Sequence, residues 1–230
     1  MLDKRTDLAG PGISTYEAVA EILPENYASL LDVKRTQQAI YDVKEYIEKG
    51  LAKELNLMMV QVPLIVEAAS GMNDMLDRDG SRTPIEFPCG LGLKQPIRAS
   101  IVQAATKWKR WALQQFECDV HEGINTDMRA VRKDYFLDHD HSAYVDQWDW
   151  EQVIAAEDRN LEYLTEVVKK IWKVFVGAEK MVMDKYPELQ DPRFPPLPEE
   201  LHFIHAEEIL AKYPDLPRKQ RETKIIEEYG

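Results

Sequence analysis

Tyr144-Val145-Asp146-Gln147-Trp148-Asp149-Trp150-Glu151, "YVDQWDWE", holds two tryptophans, three carboxylates and an amide in eight residues. Read as a β-strand, the run sorts by side, because successive side chains point to opposite faces of a sheet. Ala143, Val145, Gln147 and Asp149 then share one face, and Tyr144, Asp146, Trp148 and Trp150 share the other. A Gln and an Asp beside small apolar residues both offer oxygen acceptors to an ammonium, which suits an α-amino group. The competing reading is a polar strand end facing water.

A few residues upstream, "MRAVRKDYF" (Met128–Phe136) alternates too, placing Ala130, Arg132 and Asp134 on one face. An arginine on a sheet face that looks into a cleft is suited to a phosphate, while an isolated one is more often a surface residue.

Around these two runs the chain reads as a mixture of long helices and short strands. From Asp32 to Leu55, Ile40, Val43, Ile47, Leu51 and Leu55 recur at helical spacing; "LMMVQVPLIV" follows as an apolar strand interrupted by Pro63. Residues 71–100 carry turn signals such as "DRDGSR", after which "QAATKWKRWALQQF" resumes helical spacing through Ala105, Trp108, Ala112 and Phe116, with Lys107, Lys109 and Arg110 around it. A second long helix is expected over about Glu157–Lys185, with Leu161, Leu164, Val168, Ile171, Phe175, Ala178 and Val182 as its core stripe. The proline-rich connection 191–199 leads to an expected strand "LHFIH" and a helix ending near "KYPDLP". No regular strand–helix rhythm and no Gly-rich phosphate loop accompany these elements, so the fold class expected is α+β: an antiparallel sheet flanked by helices.

The 230 residues are 44% hydrophobic with a net charge of -12, enough for one substantial core and repulsive to phosphate backbones and anionic membranes. No nucleic-acid or membrane partner is expected. Cys89 and Cys118 lack the spacing of a metal or redox motif, and "MLDKRTDLAG" lacks the apolar core of a signal peptide, which together suggest a reduced, cytoplasmic protein. "DHDH" (Asp138–His141) has metal-ligand residue types, yet adjacent side chains converge poorly on one ion; His202 and His205, placed in a strand, fall on opposite faces. No metal site is assigned to these residues.

Taken in order, "DVKRTQQAI", "LAKELNL", "KWKRWAL", "TDMRAVRKD", "HSAYVDQWDWE", "EDRNLEYL" and "KYPDL" resemble asparagine synthetase A, the ammonia-dependent aspartate ligase, from about residue 30 to the C-terminus. The resemblance implies a fold like the catalytic domain of class II aminoacyl-tRNA synthetases, assembled as a homodimer. It implies ATP and aspartate as substrates, Mg²⁺ on the phosphates, a β-aspartyl-adenylate with loss of pyrophosphate, and attack by ammonia to give asparagine and AMP. Arg132 matches the arginine on the α-phosphate, with Asp134 beside it toward ATP. Gln147 and Asp149 match positions that hold aspartate, Lys109 a lysine facing the substrate carboxylate, and Asp74 in "GMNDML" an aspartate near substrate and ammonia. Asp74 and Arg132 are thus the expected catalytic residues.

The chain is read as one catalytic-type domain over 1–230, with 1–30 as an N-terminal extension. In the family about a hundred further residues follow, so the domain is expected to be incomplete at its C-terminus, with an unpaired strand edge and no adenylate formation by residues 1–230 alone. Gln103-Ala104-Ala105-Thr106 stands where His-Ser-Leu-Ala is usual, and Tyr135 and Phe136 replace acidic residues. Those departures support an alternative reading as a non-catalytic amino-acid-binding or dimerising paralogue. A tRNA-binding synthetase remnant is a third, which the acidic balance opposes.

Overall fold

Asp32 accepts a hydrogen bond from the Arg35 backbone N–H at 2.8 Å and so caps helix α1, Val33–Glu54. The helix ends at Leu55, and Asn56 adopts a left-handed φ of 54°, a conformation that asparagine tolerates, to turn the chain into strand β1, Leu57–Val60. In this computed structural model the residues described are 23–25, 27–76, 82–134, 137–139 and 141–229. Tyr135, Phe136, Asp140, all of "DRDG" and residues 1–22 and 26 of the 1–30 segment lie outside them.

The apolar run around Pro63 gives two strands rather than one. β1 joins a first sheet and β2, Ile65–Glu67, a second. The second sheet is antiparallel throughout, in the order β2-β4-β3, with β3 at Glu86–Cys89 and β4 at Ile97–Ile101. The first has the order β1-β5-β6, with β5 at Gly123–Val131 and β6 at Tyr144–Gln152. β5 and β6 are antiparallel, but β1 runs parallel to β5, so the expected antiparallel sheet is corrected to a mixed one. Alternation within a strand reports its faces and not the direction of its neighbour. The β1-to-β5 connection contains the whole second sheet and one helix, the kind of long crossover a parallel pair requires.

Helices cover both faces of the first sheet. Behind it lie α1 and α3 (Leu161–Lys185), whose Ile47, Leu51, Leu55, Val167, Val174 and Ala178 form a buried cluster that Trp148 and Trp150 join from β6. In front lies α2, Thr106–Gln115, where Val102, Ala105, Met128 and Ala130 form a second cluster. The sheets meet at that end: Val102 donates to the Leu64 carbonyl at 2.9 Å, and Val131 donates to the Val102 carbonyl at 3.2 Å.

Several expected core positions are rotated. Leu161 and Leu164 are exposed; of the expected stripe of α3, Ala178 is buried and Ile171 and Phe175 pack against the core, but its other buried positions are Val167 and Val174; Ile40 on α1 and Phe116 at the end of α2 are also exposed. Apolar residues span more than one face of these helices, and only packing selects which face is covered. "LHFIH" is no strand: it is irregular, and His205 caps the short helix α4, Ala206–Lys212, by accepting from the Glu207 N–H at 3.2 Å. Helix α5, Arg218–Tyr229, closes the described chain. Among the described residues no helix is long and apolar enough to cross a membrane.

Candidate active site

The β5–β6 register sets Gln147 opposite Met128 and Asp149 opposite Thr126. Met128 and Thr126 are fully buried in the front of the sheet, so Gln147 and Asp149 face forward with them, while Trp148 and Trp150 pack backward against α1 and α3. The tryptophans therefore anchor the strand, and that anchoring fixes which way the amide and carboxylate point.

α2 supplies the opposing charge. Ala105, Lys109 and Ala112 recur at i, i+4 and i+7 and form its buried stripe, each 1% exposed or less. The two alanines bring the helix close to the sheet, and the lysine between them has nowhere to go but across the front face. Its Nζ forms an ion pair with Asp149 Oδ1, approaches the Trp150 carbonyl at 3.5 Å, and lies 3.8 Å from Glu151 Oε1. A lysine buried to this degree requires such partners, because an isolated ammonium away from water is strongly disfavoured.

Asp74 reaches the same end of the face by another route. Asn73 clamps its loop to the β4 end: its side-chain amide donates to Ser100 Oγ and to the Ile101 carbonyl, both at 2.8 Å, and its oxygen accepts from the Gln103 N–H at 2.9 Å. Asp74 is then placed at the start of α2, accepting from the Thr106 N–H at 2.7 Å and the Lys107 N–H at 3.4 Å. It caps the helix that carries Lys109. Asp74→Ala should cost about 1 kcal/mol, and amide hydrogen exchange should show faster opening confined to the first turn of α2; unchanged exchange there would contradict the capping role.

Arg132 follows the last residue of β5, and its N–H donates to the Ala143 carbonyl at 2.8 Å, which closes the hairpin end. It therefore lies six residues along the strand from the position opposite Asp149, or about 20 Å of backbone. The alternation expected to carry Asp134 beside it does not extend that far. Asp134 sits in a turn, accepts from the Thr83 N–H at 3.0 Å and Thr83 Oγ1 at 3.1 Å, and pairs with Lys133 at 2.8 Å. The lysine and the Thr83 amide hold its carboxyl below the usual carboxylate range.

The structure thus gathers Asp74, Lys109 and Asp149 at one end of a single face, with Gln147 between them and Arg132. Gln147 is half-buried and makes no side-chain hydrogen bond among the described residues. Two features escaped sequence reasoning: the Asn73 clamp, which is visible only through contacts about 30 positions away, and Glu151. The alternation of "DQWDWE" places Glu151 on the Gln147 and Asp149 face, and that was the available signal. Burial pushes its carboxyl up; Lys109 and Arg110 oppose that, and Asp149 and Asp74 reinforce it. Gln103 is fully buried with its side-chain amide unpartnered among the described residues, and Ala104 packs against the front core cluster. In "DHDH", His141 pairs with Asp138 at 2.7 Å; among the described residues no group of three or more His, Cys, Asp or Glu is disposed to hold a metal ion.

Comparison with known proteins bears directly on this geometry. Residues 34–230 match the family model described as aspartate-ammonia ligase. A Clostridium perfringens aspartate–ammonia ligase is 43% identical over 208 residues, covering 90% of this chain and 60% of the relative. A Bacteroides fragilis protein of that name is 44% identical over 210 residues, covering 91% and 58%, and one from Fusobacterium nucleatum is 45% identical over 204 residues, covering 89% and 59%. The chain spans about 60% of the length of the curated relatives it matches.

Proposed function

Because the chain belongs to the aspartate-ammonia ligase family, we propose that its front sheet face supplies the aspartate and α-phosphate part of a site at which the whole ligase activates the β-carboxylate as an adenylate and presents it to ammonia. The observation that carries this reading is the buried Lys109–Asp149 pair beside an uncommitted Gln147 amide.

Without ligand, the lysine and the aspartate neutralise each other. Aspartate carries the complementary charges, so it can enter by exchanging one ion pair for two: Lys109 to the side-chain carboxylate, and Asp149 with Gln147 to the α-ammonium. The exchange pairs Lys109 and Asp149 again and leaves only the ligand's α-carboxylate to be matched by other donors, which limits the desolvation penalty. Pairing of Lys109 with the carboxylate also fixes the oxygen that attacks phosphorus.

Arg132, farther along the same strand pair, would meet the α-phosphate, where its fork of N–H donors stabilises the charge that builds as pyrophosphate leaves. An aspartyl-adenylate would lie along the face, its amino-acid end at Asp149 and its phosphate toward Arg132. Asp74 would act at the amino-acid end through the position it holds at the start of α2. Asp134 would serve ATP through the turn it fixes. Magnesium belongs to this reading as the ion that arrives on the ATP phosphates and neutralises them; such an ion takes one or two protein carboxylates at most, so it needs no three-residue cage. A class II synthetase-like single domain, a homodimer and a cytoplasmic setting complete the proposal.

Calorimetric titration with aspartate and with a non-hydrolysable aspartyl-adenylate analogue tests it. Both should bind, the analogue more tightly; Lys109→Met should weaken aspartate binding at least tenfold, a loss of about 1.4 kcal/mol or more. Succinate, which lacks the ammonium, should bind more weakly than aspartate. Failure of both ligands to bind the wild-type chain would remove the proposal.

A further inference from the structure

We propose that Glu151 is the proton acceptor of the amide-forming step: it stands on the aspartate-binding face, largely removed from water, and among the described residues is the one carboxylate there with neither a hydrogen bond nor a close ion pair, its two cationic neighbours lying at 3.8 and 3.9 Å. The proposal rests on the functional reading above and adds to it a residue that neither the sequence motifs nor the ion-pair chemistry had assigned.

Three carboxylates surround Lys109 and the start of α2, and two are already occupied. Asp149 holds the lysine directly. Asp74 accepts from the first backbone N–H groups of α2. Glu151 is different: its side chain is 22% exposed, its nearest cationic atoms are Lys109 Nζ at 3.8 Å and Arg110 Nε at 3.9 Å, and it accepts no hydrogen bond among the described residues. It lies two residues beyond Asp149 on β6, so both side chains leave the same side of the strand. Burial makes the Glu151 carboxylate more basic than a surface glutamate, and the neighbouring Asp149 and Asp74 charges act in the same sense. Lys109 and Arg110 act against that shift and favour the anion. A base that is ionised and yet basic is what proton removal from an attacking amine requires.

The lone pair of neutral ammonia forms a C–N bond to the β-carbonyl carbon of the aspartyl-adenylate, and the carbonyl electrons move onto oxygen. The nitrogen of that adduct, now positively charged, gives one proton to a Glu151 carboxylate oxygen. The carbonyl re-forms, the C–O bond to the phosphate breaks, and its electron pair leaves with AMP. Asparagine is released, and Glu151 returns its proton to water.

The experiment supplies synthetic aspartyl-adenylate and ammonia to the wild-type chain, Glu151→Gln and Glu151→Asp, and measures asparagine formed above the buffer background. Binding of the non-hydrolysable adenylate analogue is measured on the same three proteins. Glu151→Gln should bind the analogue within about twofold of wild type and form asparagine about 100-fold more slowly, at the lower end of what a positioned general base contributes. Glu151→Asp should regain part of the rate, and hydroxylamine, a less basic amine, should suffer a smaller loss than ammonia. A Glu151→Gln protein that keeps the wild-type rate, or whose analogue binding falls as far as its rate, would overturn the proposal and leave the binding reading intact. A wild-type chain that does not bind the analogue would instead overturn the binding reading, and this proposal with it.

Discussion

Asp149→Asn should destabilise the fold by about 3 kcal/mol, although the side chain it alters is 27% exposed. The reason is the partner. Lys109 is 1% exposed, and without Asp149 its ammonium keeps only the Glu151 carboxylate at 3.8 Å and the Trp150 carbonyl at 3.5 Å. Breaking a buried pair from one side leaves an uncompensated charge, and that penalty dominates the loss of the contact itself. The reverse change should be milder. Lys109→Met removes the buried charge and leaves two carboxylates with access to water, so about 1 kcal/mol is expected. Urea denaturation of the two variants measures the asymmetry. Equal losses, or a larger loss for Lys109→Met, would show that the lysine is not the buried charge the geometry makes it.

Gly123→Ala should be at least as damaging, by about 3 kcal/mol or more, because the obstruction is backbone. Gly123 is the first residue of β5 and lies between Leu57 of β1 and Gln152 of β6. A methyl group there would overlap the Glu151 carbonyl oxygen and come within 2.9 Å of Gln152 Cα and 2.7 Å of Leu57 Cδ2. Leucine can change rotamer; two strands cannot both move without losing their ladder. Gly177→Ala on α3 is the control. Its added methyl meets the hydroxyl end of Tyr46, which can swing away, so a loss of about 1 kcal/mol or less is expected. Thermal unfolding of both variants, with far-UV circular dichroism at 20 °C, distinguishes them. A Gly123→Ala protein as stable as wild type would mean that the β1–β5–β6 register differs from the one described.

The sequence by itself determined the two faces of β6. A period of two is imposed by strand geometry, so "YVDQWDWE" could only separate its tryptophans from Gln147 and Asp149, and the structure bears this out. It also determined that α1, α2 and α3 would be helices, because apolar spacing is a local signal; the start of α3 at Leu161 rather than near Glu157 was set by Asn160, whose side chain accepts from the Tyr163 N–H at 2.8 Å. Tertiary structure decided the rest. Whether β1 runs parallel or antiparallel to β5 depends on how the intervening sheet and helix return the chain, and no short-range pattern encodes that. Which apolar residues of α3 are buried was settled by contact with α1, which left Leu161 and Leu164 outside. Lys109 shows the limit most clearly: in sequence it is one of several cations on a helix, and burial between Ala105 and Ala112 becomes possible only when Asp149, forty residues later, arrives across the face to neutralise it. A local pattern sets which way a side chain points, but a charge can be buried only where the fold has brought its partner.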